Sequence, residues 1–182
     1  MQKTKNKTLA VLIATILTIS IGASIILPNA NAHTPAWNIP TFAHIFAATN
    51  PIGVGQQASI YLFLTPTYAD TLMTNNYRFH NYELIITAPD GKVTTQKWDT
   101  IWDTTSNQIA TITPDQVGTY NLTFIFPGQY VNDYPHSPTS AYLNDYYLPS
   151  NATTTLTVQE EQITELPVNP LPTEYWTRPI YG

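Results

Sequence analysis

The sequence contains no cysteine. This excludes a disulfide framework, a thiolate zinc site, an iron–sulfur cluster and a cysteine nucleophile. Charge is also scarce: 10% of the 182 residues are charged, against roughly a quarter in an average soluble domain. Seven Lys and Arg face 12 Asp and Glu, and no cation falls between Lys97 and Arg178. Without a basic patch nothing neutralises phosphates, so no nucleic-acid partner is expected. What is abundant is apolar, with 43% hydrophobic and 12% aromatic residues. Disorder requires the opposite balance, so the chain has the material for a buried core.

Lys3, Lys5 and Lys7 precede an uncharged apolar run over 9–27, and Ala30-Asn31-Ala32 has the small-x-small pattern of a cleavage site. The reading is an export signal over 1–32, cut after Ala32. The run of 19 residues is at the edge of what spans a bilayer, and an uncleaved membrane anchor is the alternative. Removing 1–32 takes away three cations and no acid, which leaves four basic against 12 acidic groups. The exported part is thus distinctly acidic, which favours solubility. The expected location is secreted or at the cell surface, with membrane contact only through an uncleaved leader.

Beyond residue 32, alternating apolar and polar residues bounded by Gly, Pro, Asn and Asp recur every ten to twenty positions. The expected fold is all-β, an immunoglobulin-like antiparallel sandwich of about seven strands over 41–159, after a short extension at 33–40. The first strand is placed at 41–49. A turn over 50–56 leads to a strand at 57–65 with Ala58, Ile60, Leu62 and Leu64 inward and Ser59, Tyr61 and Phe63 on the other face. Tyr82, Leu84 and Ile86 form the next inward set. Pro89-Asp90-Gly91-Lys92 then starts a hairpin into 93–98, and a further strand is read at 107–113.

The most informative stretch is Gly118-Thr119-Tyr120, followed by Leu122, Phe124 and Phe126 alternating with Asn121, Thr123 and Ile125. A Gly two residues before a Tyr that opens an apolar strand is the layout of a tyrosine corner, in which the phenol bonds back to upstream backbone. The antibody-type disulfide and the Trp on the third strand are missing, which favours the wider group of such modules. The segment 127–150 is too long for a hairpin and holds Tyr130, Tyr134, Tyr142, Tyr146 and Tyr147. It is read either as a lid folded over the core or as a recognition surface. The last strand is placed at 153–159. The Pro-rich stretch from 160 to 182 reads as an extended linker ending in an aromatic cluster around Tyr175 and Trp176.

Taken in order, the leader ending in Ala30-Asn31-Ala32-His33-Thr34-Pro35-Ala36-Trp37, the stretch Asn50-Pro51-Ile52-Gly53-Val54-Gly55-Gln56, Pro89-Asp90-Gly91, Thr113-Pro114-Asp115-Gln116-Val117-Gly118-Thr119-Tyr120 and Leu171-Pro172-Thr173-Glu174-Tyr175-Trp176-Thr177-Arg178-Pro179-Ile180 carry a resemblance. The chain resembles the N-terminal Ig-like region of secreted archaeal proteins that carry a pyrroloquinoline-quinone-like β-propeller. The resemblance implies the front end of a larger surface or secreted protein. No repeat of propeller-blade length is present in these residues, so no quinone site carries over and no cofactor is implied.

Chemistry-bearing residues are few. If cleavage follows Ala32, His33 offers an α-amine and a ring nitrogen to one metal ion, a donor set that suits copper; His80 or His136 would have to complete that site. His44 is placed on a strand, packed or half-exposed. Trp98 and Trp102, four residues apart beside Asp99 and Asp103, could form a sugar-binding platform, while packing at a strand end is the commoner role. The same two carboxylates are weighed as a glycosidase pair, and Asp70, Asp133 and Asp145 as calcium ligands without an Asp-x-Asp-x-Asp loop. Gly53-Val54-Gly55 leads into a strand and is no phosphate loop, and no Gly-x-Ser-x-Gly elbow occurs. Two sequons beyond the leader, Asn121-Leu122-Thr123 and Asn151-Ala152-Thr153, are glycosylation candidates in an exported protein. The expectation is a non-catalytic extracellular accessory or interaction module, its partner another surface protein or a polysaccharide and its contact face the Tyr-rich segment. A small-ligand module, taking copper at His33 or carbohydrate at Trp98 and Trp102, is the alternative.

Overall fold

In a computed structural model, residues 11–18 and 33–164 are described. Residues 11–18 are helical and solvent-exposed; the rest of the expected leader and most of the expected linker lie outside the described residues. Among the described residues no helix is long and apolar enough to cross a membrane.

Where apolar residues recur with period two, the chain forms strands. A three-stranded antiparallel sheet has the order β2-β4-β7, from β2 (Phe42–Ala47), β4 (Ala58–Thr65) and β7 (Asn107–Ile112). A five-stranded sheet has the order β3-β11-β8-β5-β6, from β3 (Ile52–Gly53), β11 (Ser150–Gln159), β8 (Gly118–Phe126), β5 (His80–Thr87) and β6 (Val93–Thr100). One core joins the two sheets. Ala58, Ile60, Leu62 and Leu64 come from β4, Tyr82, Leu84 and Ile86 from β5, and Tyr120, Leu122, Phe124 and Phe126 from β8, all buried. These inward sets are the ones the alternation predicts. Each large side chain removed from water here contributes on the order of 1.5–3 kcal/mol before conformational entropy is counted.

Turn chemistry fixes the ends. At Gly53 the chain passes so close to the backbone of Glu161 and Gln162 that a Cβ would collide with both, which lets the short β3 lie parallel to the end of β11. Gly118 opens β8 with φ +135°, and a Cβ there would lie 2.8 Å from the Pro89 ring. Two residues on, the Tyr120 phenol accepts from the Gln116 backbone N–H at 3.1 Å and donates to the Asp115 carboxylate at 3.2 Å. The expected return bond to upstream backbone is therefore made.

Two segments differ from their sequence reading. The 33–40 extension contains β1 (Asn38–Ile39), and the 127–150 segment contains β9 (Gln129–Tyr130), a 3-10 turn at Val131–Asp133 and β10 (Tyr146–Tyr147). β1 runs parallel to β10, and β10 is antiparallel to β9, giving a third, small sheet. The extension is thus strapped onto the insertion and closes one end of the sandwich. Period-two analysis misses strands of two residues because they are too short to show a period.

Candidate functional site

The closed end is built where β4 ends, β5 begins, β6 ends, β7 begins and β11 begins. Among the described residues, all six buried polar or charged residues lie here: Thr41, Arg78, His80, Ser106, Gln129 and Asp145. Five of them, Thr41, Arg78, His80, Gln129 and Asp145, make side-chain or backbone hydrogen bonds that tie one connection to another, and the Ser106 carbonyl accepts from the buried Tyr82 phenol. The Arg78 guanidinium donates to the carbonyls of Leu72, Tyr77 and Trp102. The Gln129 amide accepts from His80 N–H at 2.9 Å and donates to the Arg78 carbonyl at 3.1 Å. The Asp145 carboxylate accepts from Trp37 N–H at 2.7 Å and lies 2.6 Å from His33 Nδ1.

Between these connections opens a cleft of about 580 Å³, lined by Ile39, 66–72, Thr104, Tyr142 and Tyr147. Its one carboxylate is Asp70, whose Oδ2 accepts from the Ser140 hydroxyl at 2.5 Å and lies 3.9 Å from His136 Nε2. A serine nucleophile requires the imidazole to lie between hydroxyl and carboxylate. Here the serine hydrogen goes straight to the carboxylate, so the trio joins the 66–79 connection to the insertion and has no activated hydroxyl. His136 is packed between rings, stacked on Tyr77 at 4.1 Å and edge-on to Tyr68 at 5.8 Å. Burial raises the phenols of Tyr68 and Tyr82, and pushes Tyr147 up to about 12.

The sequence-derived candidates scatter across this framework. His33 stacks on Trp37 at 3.5 Å and meets the edge of Tyr142 at 5.2 Å, so the ring nitrogen closest to its own backbone is committed to Asp145. His80 donates toward the Asp99 carbonyl at 2.7 Å and stacks on Tyr134 at 3.4 Å, and its burial lowers its pKa. His44 stacks on Phe63 at the surface. Among the described residues no three His, Asp or Glu side chains converge as metal ligands. Asp133 caps the 3-10 turn by accepting from Tyr130 N–H, while Asp70 and Asp145 hold the contacts above.

Trp98 and Trp102 part company at the strand end. Trp98, paired with Tyr82, packs against the core, whereas Trp102 is 67% exposed. Asp103 closes a turn by accepting from the Thr105 hydroxyl and N–H, and these bonds lower its pKa; Asp99 is exposed on β6. The five tyrosines do not share one face either. Tyr130 and Tyr146 meet across strands as tilted rings with centroids 4.4 Å apart, with Tyr130 exposed. Tyr134 covers His80, Tyr142 packs at the core margin, and Tyr147 is buried against Tyr68 and Phe79.

A further surface, not among the candidates expected from sequence, lies on the outside of the three-stranded sheet. Phe42 and Phe46 of β2 are 60% and 46% exposed, and Ile109 of β7 is 46% exposed. Between them lie Tyr61 and Phe63 of β4, with Phe46 and Tyr61 stacked at 4.9 Å and 1°. The outward residues of the three strands, Ser59, Thr65, Asn107 and Thr111 included, carry no Asp, Glu, Lys or Arg. The signal was present: β4 has apolar residues on both faces, where a sheet with one solvated face alternates apolar with polar.

No protein-family model matches the chain, and no curated protein matches it.

Proposed function

We propose that the chain is an exported, non-catalytic Ig-like β-sandwich module that docks another surface protein through the outer face of its three-stranded sheet. The observation that carries this reading is the aromatic face formed by Phe42, His44, Phe46, Tyr61, Phe63 and Ile109, which carries no Asp, Glu, Lys or Arg. Enrichment in aromatic residues with depletion of charge is what distinguishes the centre of a protein interface from ordinary surface, and contiguous exposed apolar patches mark interaction sites. A sugar partner fits less well here, because the rings stack on one another across strands and turn their faces inward along the row. The Ig-like assignment is supported by the facing sheet orders and by the Tyr120 return bond; export is supported by the basic, apolar and small-residue pattern of 1–32. The resemblance to the front end of archaeal propeller proteins is consistent with such a role.

The test places a photo-crosslinking amino acid at position 46, and as a control at position 73, which is 92% exposed in the connection between β4 and β5, in the exported chain on its native cells. The expected result is an adduct with a different surface polypeptide from position 46 and none from 73, lost in the Tyr61→Ser/Phe63→Ser variant. An adduct of the chain with itself, an adduct with lipid or glycan, or no adduct at either position overturns the reading.

A further inference from the structure

The outer face of the five-stranded sheet is chemically the opposite of the aromatic one. Thr119, Asn121, Thr123, Asn151, Thr153, Thr155 and Thr157 of β8 and β11 all point outward, opposite to the buried Tyr120, Leu122, Phe124, Leu156 and Val158. Both sequons lie in this field. The register sets Thr123 opposite Thr153, Asn121 opposite Thr155 and Asn151 opposite Ile125. The two Asn-x-Thr triplets therefore run antiparallel on neighbouring strands, hydroxyl ends meeting and Asn residues at the outer ends, about 13 Å apart along the strands.

Both Asn side chains are exposed and, among the described residues, make no hydrogen bond. The carboxamides of Asn50, Asn75, Asn81 and Asn132, by contrast, donate to carbonyl or side-chain oxygens. Their neighbours on the face are mostly threonines, small side chains that leave room above the sheet. We infer that Asn121 and Asn151 are both N-glycosylated, so that two glycans cover the five-stranded sheet and leave the aromatic face bare. In this step the amide Nδ2 takes the anomeric carbon of an oligosaccharide activated on a lipid phosphate. The carbon–oxygen bond to the phosphate breaks with its electron pair going to the leaving lipid phosphate, the carbon–nitrogen bond forms, and the amide gives up one proton to solvent.

The ladder adds an order of events. Both triplets lie within paired strands, and β8 is bonded on both sides, to β11 and to β5. A transferase cannot grip that backbone once the ladder has closed. Modification of Asn121 therefore precedes pairing of β8 with its neighbours, during export of the unfolded chain.

The inference rests on export and not on the docking reading. The experiment expresses the full chain with its own leader in an N-glycosylating host, scores export separately by protease accessibility, and maps peptides by mass. Expected are glycopeptides at both Asn121 and Asn151. Thr123→Val, which keeps shape and β-propensity, should remove only the first, and Thr153→Val only the second. Exported protein with unmodified sequon peptides overturns the proposal; a chain that stays inside the cell overturns the export on which it rests. For the order of events, unmodified folded protein and the same protein in urea are offered transferase and lipid-linked donor. Asn121 should react only in the unfolded sample, and equal reaction in both overturns the timing.

Discussion

The sandwich interior and the closed end are held together by different physics. Between the sheets the contacts are hydrocarbon and aromatic: Ile60, Leu62, Leu84, Leu122, Phe124 and Leu156 are all fully buried. At the closed end a few buried polar groups, Arg78, His80, Gln129 and Asp145, each join two or three connections. Burial of hydrocarbon is non-directional and tolerates repacking. A buried polar network is directional, and removing one partner leaves another unsatisfied. The interior should therefore set global stability, and the closed end should open as a unit of its own.

The largest effect is expected from Phe124→Ala. Phe124 is fully buried, packs on Tyr82 at 4.7 Å and lies between Leu84 and Ala152 on the flanking strands. Truncation of such a ring costs about 3–5 kcal/mol, a large part of the whole stability of a domain. Denaturant unfolding of the variant should show a lower midpoint with all regions melting together. If only 127–150 loosens and the midpoint stays, the division between interior and closed end is wrong.

Asp145→Ala should sharpen the contrast. It leaves His33 and the Trp37 N–H without their carboxylate, in a site where the His33 side chain is 9% exposed and the Asp145 side chain fully buried. Leaving such buried donors without their acceptor costs on the order of 1–3 kcal/mol, here directed at the β1–β10 pairing. Hydrogen exchange should show lost protection at Tyr146 and Leu148, whose N–H groups bond Trp37 and Ile39, with β4 and β8 unchanged. Loss of protection throughout β8 would mean that the two regions unfold as one.

How much of this was legible follows the same division. The inward sets of β4, β5 and β8 were readable because hydrocarbon burial leaves a period of two in the sequence. The Tyr120 return bond was readable because Gly118 and Tyr120 sit at a fixed spacing. Contacts such as His33 with Asp145 join residues more than a hundred positions apart, and Asp145 reads equally well as a calcium ligand because sequence cannot show which partner a lone carboxylate finds. The segment with five tyrosines reads as a contact face, yet ring composition alone does not distinguish Tyr147, packed inward, from Tyr130, turned outward. Phe42 and Phe46 give no distinct signal because they sit in a short strand whose inward residues, Ala43, Ile45 and Ala47, are also apolar.

The smallest effect expected is a pH dependence, and it belongs to the closed end alone. His80 is buried under Tyr134, and desolvation lowers its pKa below the ordinary value, outweighing the Asp99 carbonyl that raises it. A histidine with a depressed folded pKa binds fewer protons folded than unfolded. Stability therefore rises with pH between the folded pKa and the unfolded value of about 6.5. The contribution is complete above that value and is lost as pH falls through the folded pKa. Exchange at the His80 N–H, held by Gln129, should accelerate in mild acid beyond the intrinsic pH trend, and a His80→Gln variant should lack that excess. A matching acid-induced excess in β8 near Leu122 would assign the dependence to the whole sandwich and remove the distinction between its two parts.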